Sequence, residues 1–214
     1  VDLPLVAEIA SVGKPLVIST GMANLGEIAE AVETARSAGG KELILLHCIS
    51  SYPTPINESN LETLQHLAQT FDVIVGLSDH TMGTVVSVAA VALGACFIEK
   101  HFTLRRDDGG PDAAFSLEPD ELATLVRDCR LAWEARGRID YSRKPSEAQN
   151  LIFRRSLYAV ADIAEGEIFS DKNVRSIRPG YGLPPKFLPD VHGRKATRTI
   201  ERGTPFDWIM VSAG

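Results

Sequence analysis

Four short apolar runs, each followed by a loop and a helical pattern, organise the first 140 residues. The runs occupy residues 15–21, 43–50, 73–80 and 96–102. Apolar positions then recur at helical spacing over residues 26–37, 59–70, 83–93 and 118–136. Such alternation predicts βα units on a parallel sheet, and we expect Ser116 or Asp120 to cap the last helix.

The pattern changes after residue 137. Residues 137–150 turn polar and lose the helical periodicity, so we predict a domain of residues 1–138, a linker of residues 139–151 and a second domain of residues 152–214. The second domain has short β-type runs and a repeat with a spacing of 37 residues. The repeat relates Ile163, Gly166, Phe169 and Val174 to Ile200, Gly203, Phe206 and Val211. It predicts a small pseudo-symmetric β domain.

Four βα units leave a parallel sheet incomplete. Both faces of such a sheet are normally covered, and a closed barrel needs eight strands. Apolar strands at residues 43–49 and 96–102 would leave edges that are prone to association. We therefore expect that a further half of the barrel precedes Val1 or comes from a partner chain.

Composition argues against two classes of function. The chain has 28 acidic and 22 basic residues, a net charge of −6 and no block of like charge, which disfavours nucleic-acid binding. Its longest apolar stretches reach about ten residues, whereas a membrane helix needs roughly twenty. The odd set of Cys48, Cys96 and Cys129 favours a reducing compartment over a disulfide framework, so we predict a cytoplasmic protein.

Polar side chains cluster where the predicted third and fourth strands end. The third strand carries Ser78 and His80, and the fourth carries Glu99 and His101. Because side chains alternate along a strand and parallel strands end at one edge, these groups should face one space. Imidazole and carboxylate suit a divalent ion, Mn²⁺ foremost with Mg²⁺ or Co²⁺ as alternatives, and Asp112 adds a nearby carboxylate. The simpler alternative is that both histidines are buried structural residues.

The first two strands end in hydroxyl groups. Ser19 ends the first strand and can donate to a phosphate or carboxylate oxygen, although the motif alone is weak. Ser50, Ser51 and Tyr52 end the second strand and are also hydroxyl donors. Alternation places His47 on the face opposite Ser50, so we interpret His47 as structural.

Two basic residues, Lys100 and Arg178, lead to different predictions. Alternation places Lys100 on the strand face opposite Glu99 and His101, pointing toward the helices, so no catalytic role is assigned to it. Arg178 lies in a loop of the second domain that is rich in Pro and Gly. Such a loop is a stiff platform for a guanidinium that recognises an amide or carboxylate, and a solvated arginine is the alternative.

The ordered motifs resemble the sialic-acid synthases, which condense phosphoenolpyruvate with an amino sugar. The matching segments are residues 14–27, 46–48, 52–55, 76–81, 99–103, 110–112 and 116–119. The tail from about residue 154 to 211 resembles the antifreeze-like SAF domain of those enzymes. The resemblance implies an α/β fold, the C-terminal half of a TIM (β/α)₈ barrel, followed by a β-rich SAF domain of the β-clip type.

Within the family, residues 109–119, 154–158 and 176–182 look closest to the pseudaminic acid synthases. Ala113 and Phe115 stand where N-acetylneuraminate synthases usually have polar residues, which favours a more hydrophobic, deoxygenated sugar. The implied substrate is a 2,4-diacetamido-2,4,6-trideoxy hexose, which gains three carbons from phosphoenolpyruvate with release of phosphate. N-acetylneuraminate and legionaminic acid synthases are the alternatives.

The resemblance also implies roles for individual residues. It makes His80 and His101 the metal ligands and Glu99 and Asp112 the catalytic carboxylates. The implied substrate contacts are Ser19, Ser50, Tyr52, Ser78 and Arg178. Relatives act as domain-swapped homodimers, so Arg178 would serve the site of its partner. The family's early-strand glutamate and phosphate-binding lysines have no counterpart here, so this polypeptide alone should lack a complete site.

Two other classes of function stay open. A metal-dependent hydrolase or aldolase would use the same histidine pair, but the SAF-like tail would have no obvious task. A non-catalytic carbohydrate- or ice-binding module would use the tail alone, and a regular face of threonines would be expected there. Residues 152–214 hold only Thr197, Thr199 and Thr204, which do not form such an array.

Overall fold

The computed structural model of the chain describes residues 1–213, which divide into two compact units, the first Val1–Arg138 and the second from Ile139 onward. The first unit alternates helices and strands. In chain order they are α1 (Leu3–Ser11), β1 (Leu16–Ser19), α2 (Leu25–Ser37), β2 (Leu43–Cys48), α3 (Thr63–Phe71), β3 (Ile74–Asp79), α4 (Val85–Ala92), β4 (Phe97–Lys100) and α5 (Pro119–Arg136). The four strands are parallel and lie in the order β1-β2-β3-β4. The predicted βα units are therefore confirmed.

The two faces of this sheet differ in character. Leu45, Val75 and Leu77 point toward the helices and join a buried apolar core that includes Leu64 and Val86. This core explains why the apolar runs form strands, since each contributes alternate side chains to it. The opposite face carries Cys48, Ser78 and Glu99 side by side across three strands.

One glycine lets β4 pack closely against β3. A Cβ atom added to Gly76 would overlap with the carbonyl oxygen of Phe97 and with the side chain of Leu46. Only glycine fits this position without a shift of the neighbouring strand.

Two helix starts differ from the sequence-based picture. Helix α1, which was not predicted, begins where Asp2 accepts a hydrogen bond from the backbone N–H of Leu5, at 3.1 Å. The predicted caps of α5 were wrong. The helix starts after Glu118, whose N–H donates to the carboxylate of Glu121 at 2.9 Å, while Ser116 donates its hydroxyl to the carbonyl of Asp112.

The second unit is built mainly from short strands and turns. Its antiparallel strands are β5 (Ser156–Ala159) and β6 (Val174–Ile177), and it also holds the short helix α6 (Leu188–Val191). A 3₁₀ helix, Pro145–Phe153, begins within the segment predicted as a linker and ends two residues beyond it.

The two copies of the 37-residue repeat pair with each other in this unit. Ile163 and Ile200 each donate a backbone N–H to the carbonyl of the other, at 2.8 and 2.9 Å. The rings of Phe169 and Phe206 meet edge to face with their centroids 5.1 Å apart. All four side chains are almost fully buried, so the repeat forms the core of the unit.

The turns of the repeat exchange contacts in the same way. Gly166 donates to the carbonyl of Ala196 at 2.8 Å, and its equivalent Gly203 donates to the carbonyl of Ala159 at 2.7 Å. Both glycines have positive φ values, 81° and 90°, in the region that favours glycine. Because Ala159 and Ala196 are themselves equivalent, a pseudo-twofold axis relates the two halves.

Within residues 1–213, none of the helices has the length and apolar character needed to cross a membrane.

Candidate active site

Four rings meet at the carboxyl ends of β3 and β4. The centroids of His80 and His101 are 5.2 Å apart. Tyr52 lies 4.2 Å from His80, and Phe115 lies 5.0 Å from His101, measured between ring centroids. The structure thus brings together the two histidines that alternation assigned to one space. We call this group of four rings the histidine cluster.

His80 directly follows β3 and is fixed by the segment that follows β2. Its Nδ1 atom lies 2.9 Å from the carbonyl oxygen of Ile49. A carbonyl oxygen can only accept, so Nδ1 carries the proton and the lone pair of Nε2 is available for a ligand. The carbonyl of His80 accepts a hydrogen bond from the N–H of Thr54 at 2.9 Å. The ring is therefore held in one tautomer and orientation.

His101 follows β4, where a returning segment extends the sheet. The N–H of Leu117 donates to the carbonyl of His101, and the N–H of Thr103 donates to the carbonyl of Leu117, both at 2.9 Å. This short parallel pairing brings Phe115 against His101. Asp112 precedes the same segment, and its Oδ2 atom lies 3.6 Å from Nδ1 of His101. A carboxylate next to Nδ1 favours a proton there, which leaves Nε2 for a ligand.

Glu99 is held by its neighbour in the sheet. Ser78, which is buried, donates its hydroxyl to Oε1 of Glu99 at 2.7 Å, and the two residues are register partners. Glu99 itself is exposed on the face that the histidines share. An exposed carboxylate with one fixed hydroxyl donor is suited to accept a proton from a bound molecule.

The thiol of Cys48 links Ser50 to the cluster. Its Sγ atom lies 3.8 Å from the hydroxyl of Ser50 and 3.9 Å from Nδ1 of His80. A Cβ atom on Gly21 would overlap with this hydroxyl, so glycine leaves room for the Ser50 side chain in its present orientation. Ser50 therefore lies beside the cluster, and Cys48, which was not among the predicted site residues, lies between them.

Ser19 lies apart from the cluster. Its register partner is Leu46, which in turn pairs with Gly76 of β3. His80 comes four residues after Gly76, a rise of about 13 Å along the strands. Ser19 therefore lies at a different depth along the strands from the two histidines.

Arg178 belongs to the second unit and is exposed there. Its loop is fixed by the buried Ser156, which donates to the carbonyl of Pro179 at 2.7 Å and accepts from the N–H of Gly182 at 2.9 Å. The loop is therefore anchored at both ends of the Pro179–Gly182 segment.

His47 and Lys100, which the alternation of side chains predicted to point away from the site, lie on the predicted face of the sheet. Nε2 of His47 is 2.8 Å from the carbonyl of Ser59, and the imidazole is buried. Lys100 points to the helix side of the sheet and pairs with Asp79. Asp79 was not predicted from the sequence as a functional residue. Its pairing with Lys100 depends on the register between β3 and β4, which the sequence alone does not show.

The cluster fits a divalent ion by its donor chemistry. Within residues 1–213, no group of three His, Cys, Asp or Glu side chains is arranged to hold a metal ion. Two neutral imidazoles beside one space are nevertheless ligands that transition ions accept, and water or a bound substrate can complete the coordination. His80 and His101 are therefore the residues that would hold such an ion.

Residues 1–141 match the model of the NeuB family, and residues 154–212 match the SAF domain. The chain belongs to the NeuB family. The predicted fold class is thereby confirmed, as is the predicted resemblance to the sialic-acid synthases.

The relatives of this NeuB chain include synthases of nonulosonic acids. It is 46% identical over 203 residues to the N,N'-diacetyllegionaminic acid synthase of Campylobacter jejuni. It is 44% identical over 204 residues to a pseudaminic acid synthase of the same species. Both alignments cover 94% of this chain but only 61% and 59% of the relatives, so the chain spans about three fifths of their length.

Solved structures of the NeuB type share the fold. The spore coat polysaccharide biosynthesis protein SpsE of Bacillus subtilis matches with a TM-score of 0.59 and 32% identity, over 99% of this chain and 65% of that one. The N-acetylneuraminic acid synthetase of Leptospira borgpetersenii, solved with citrate, matches with a TM-score of 0.66 and 35% identity. That match covers 72% of this chain and 53% of the other.

Proposed function

We propose that the protein carrying this chain is a nonulosonic acid synthase. It condenses phosphoenolpyruvate with an acetamido sugar to a nine-carbon, sialic-acid-like sugar and releases phosphate. The observation that carries the proposal is the pair of imidazoles, 5.2 Å apart, at the strand ends of a NeuB chain. Both rings lie on the same face as Glu99, so a sugar bound there would meet the ligands and the carboxylate together.

His80 and His101 hold a divalent cation in this proposal, with Mn²⁺ as the first choice and Mg²⁺ or Co²⁺ as alternatives. When bound, the ion would polarise the sugar aldehyde and offset the negative charge that develops on its oxygen. The fixed orientation of His80 serves this role, because the hydrogen bond at Nδ1 leaves Nε2 as the ring nitrogen that would bind the ion.

Glu99 handles the proton of the attacking water. C3 of phosphoenolpyruvate forms a bond with the aldehyde carbon, and water then adds to C2. Glu99 takes a proton from that water, and the alkoxide left by the attacked aldehyde gains one to become a hydroxyl group. The tetrahedral intermediate then loses the proton of its C2 hydroxyl to the departing phosphate as the C–O bond breaks, which leaves a ketone. The hydroxyl of Ser78, 2.7 Å from Glu99, holds the carboxylate for this transfer. Asp112 acts near the sugar and orients His101.

The apolar wall of the cluster favours a deoxygenated sugar. Phe115 is buried against Tyr52 and His101, with ring centroids 5.6 and 5.0 Å apart. A hydroxyl group facing this wall would lose hydrogen bonds to water without gaining a partner. We therefore propose a 2,4-diacetamido-2,4,6-trideoxy hexose of the pseudaminic type. The precursors of legionaminic and N-acetylneuraminic acid are the alternatives to be assayed.

Arg178 completes the proposed site from another subunit. We propose a homodimer in which the SAF domain of one subunit serves the site of the other, where Arg178 contacts an acetamido group. Its loop, anchored by Ser156, supports a fixed guanidinium. The expected signature of Arg178→Lys is a raised KM for the sugar with little change in the KM for phosphoenolpyruvate.

Phosphate release by the complete natural polypeptide tests the proposed reaction. We expect it to require phosphoenolpyruvate, a sugar and Mn²⁺ together, and to fall to background in His80→Ala and His101→Ala. His66→Ala is the matched control, because His66 is exposed on α3. Release without the sugar would indicate a hydrolase, and no release with any of the three sugars would indicate a binding module. Full turnover in either cluster variant would contradict the proposed ligands.

A further inference from the structure

A buried ion pair lies behind the histidine cluster, on the helix side of the sheet. Nζ of Lys100 is 2.8 Å from Oδ2 of Asp79, and the two side chains are 3% and 1% exposed. Asp79 and Lys100 are register partners at the last paired positions of β3 and β4. Each is followed directly in the chain by one histidine of the cluster. The pair therefore joins the two strands at the level from which both imidazoles project on the other face.

The same pair fixes the backbone on both sides of His80. The N–H and the hydroxyl of Thr81 both donate to Oδ1 of Asp79, at 2.8 Å. Lys100 donates to the carbonyl of Thr81 at 2.6 Å, and Ser87 donates to Oδ2 of Asp79 at 2.5 Å. His80 thus lies between two residues whose positions the ion pair determines.

Stability alone is a weak explanation for such a pair. Removing two charges from water has a desolvation penalty that their attraction only partly offsets, and apolar pairs of similar size are often as stable. Geometry provides a stronger explanation. A divalent cation held by two imidazoles needs them at a fixed separation, and rigid surrounding contacts sustain that separation.

We propose that Asp79 and Lys100 are positioning residues that set the separation and orientation of His80 and His101 for a divalent cation. They act through the backbone and do not touch the cation. This inference rests on the proposed function, because it takes the histidines to be the ligands.

A double variant tests the proposal without leaving one buried charge unpaired. Asp79→Asn with Lys100→Met removes both charges and keeps the approximate shape. Asp140→Asn with Lys144→Met is the matched control, since this exposed pair, 2.6 Å apart, lies in the second unit. Mn²⁺ affinity of the complete natural polypeptide is measured by calorimetry, and the melting temperature is measured with a chelator present.

We expect the Asp79/Lys100 double variant to bind Mn²⁺ about 10- to 100-fold more weakly, with the control unchanged. A folded double variant with the affinity of the parent would overturn the proposal. If the double variant does not fold, the Mn²⁺ affinity of Thr81→Val tests the proposal instead. It removes one hydroxyl donor to Asp79 and keeps the charges, so weaker Mn²⁺ binding supports the proposal and unchanged binding overturns it.

The parent protein separates this inference from the proposed function. A parent that does not bind Mn²⁺, or whose binding survives His80→Ala, contradicts both the ligand assignment and the positioning role. A parent whose binding is lost in His80→Ala, together with variants that bind as the parent does, contradicts only the positioning role.

Discussion

The two units of the chain differ in how they pair their backbone polar groups and in how they bury their apolar side chains. In the second unit the halves of a repeat donate to each other and bury each other's aromatic rings. In the first unit four parallel strands form an open sheet, and within residues 1–213 β1 and β4 each pair with a single neighbouring strand. The apolar side chains Val17, Ile74 and Phe97, on the face that carries the site, are more than a third exposed.

This difference indicates where chemistry can be placed. A self-complementary unit uses its polar groups in its own turns, which leaves few that converge on a common space. The strand ends of a parallel sheet leave converging side chains that secondary structure does not use. The histidine cluster, Glu99 and Ser78 all lie at such ends. The second unit offers the anchored loop of Arg178, a single cation on a fixed platform.

The largest effect is expected from the paired rings of the second unit. Phe169→Ala and Phe206→Ala should each lower the free energy of unfolding of that unit by about 3–5 kcal/mol. Because the pseudo-twofold axis makes the positions equivalent, the two losses should be similar. The double variant should lose about 1 kcal/mol less than the sum, since the rings contact each other.

Hydrogen exchange followed by mass spectrometry checks these values, because it reports on peptides of each unit separately. Protection in the first unit is the internal control and should not change. A loss at one phenylalanine several times larger than at the other would contradict the equivalence of the two halves.

The next largest effect is expected from one glycine in each unit. Gly76→Ala places a methyl group against the carbonyl of Phe97, and Gly182→Ala places one against the carbonyl of Leu157. Each change should lower the stability of its own unit by about 1–3 kcal/mol. Urea titration with exchange readout should show each loss confined to one unit. Equal losses in both units would show that they unfold together.

The smallest effect concerns acid stability. The N–H of Glu118 and then the guanidinium of Arg106 lower the pKa of Glu121. Hydrogen bonds from Lys144 and Ser142 lower the pKa of Asp140 to about 2. A lowered folded pKa contributes stability at neutral pH, and this contribution is lost as the pH falls through the folded pKa. Glu121→Gln should therefore make the first unit less sensitive to acid, by less than about 1 kcal/mol.

Asp140→Asn should act in the same direction on the second unit, mainly between pH 4 and 2, where its folded and ordinary pKa values lie. Urea unfolding at pH 5 and pH 2.5, compared with the parent, measures both changes. A variant that loses as much stability on acidification as the parent would contradict the role of that carboxylate.

Much of this comparison could be predicted from the sequence, because it depends on periodicity. The apolar runs predicted the four strands, and the 37-residue spacing predicted that Phe169 and Phe206 are equivalent. Alternation also placed Lys100 and His101 on opposite faces. These features follow from the spacing of residues along the chain and from local backbone geometry, so they can be predicted without knowing which distant segments are in contact.

The remaining features depend on contacts between distant segments. The partner of Asp79 follows from strand register, and the depth of Ser19 follows from its pairing with Leu46. Phe115 reaches His101 because Leu117 extends the sheet. Helix α1 is an exception, because Asp2 and Pro4 form a typical helix start that could have predicted it from the sequence.

The most direct measurement is an anomalous difference map at the manganese absorption edge, from crystals of the complete natural polypeptide soaked in MnCl₂. We expect one dominant peak within bonding distance of Nε2 of His80 and of a ring nitrogen of His101. No peak at the strand ends, or a peak that contacts neither imidazole, would contradict the metal site on which the proposed synthase chemistry depends.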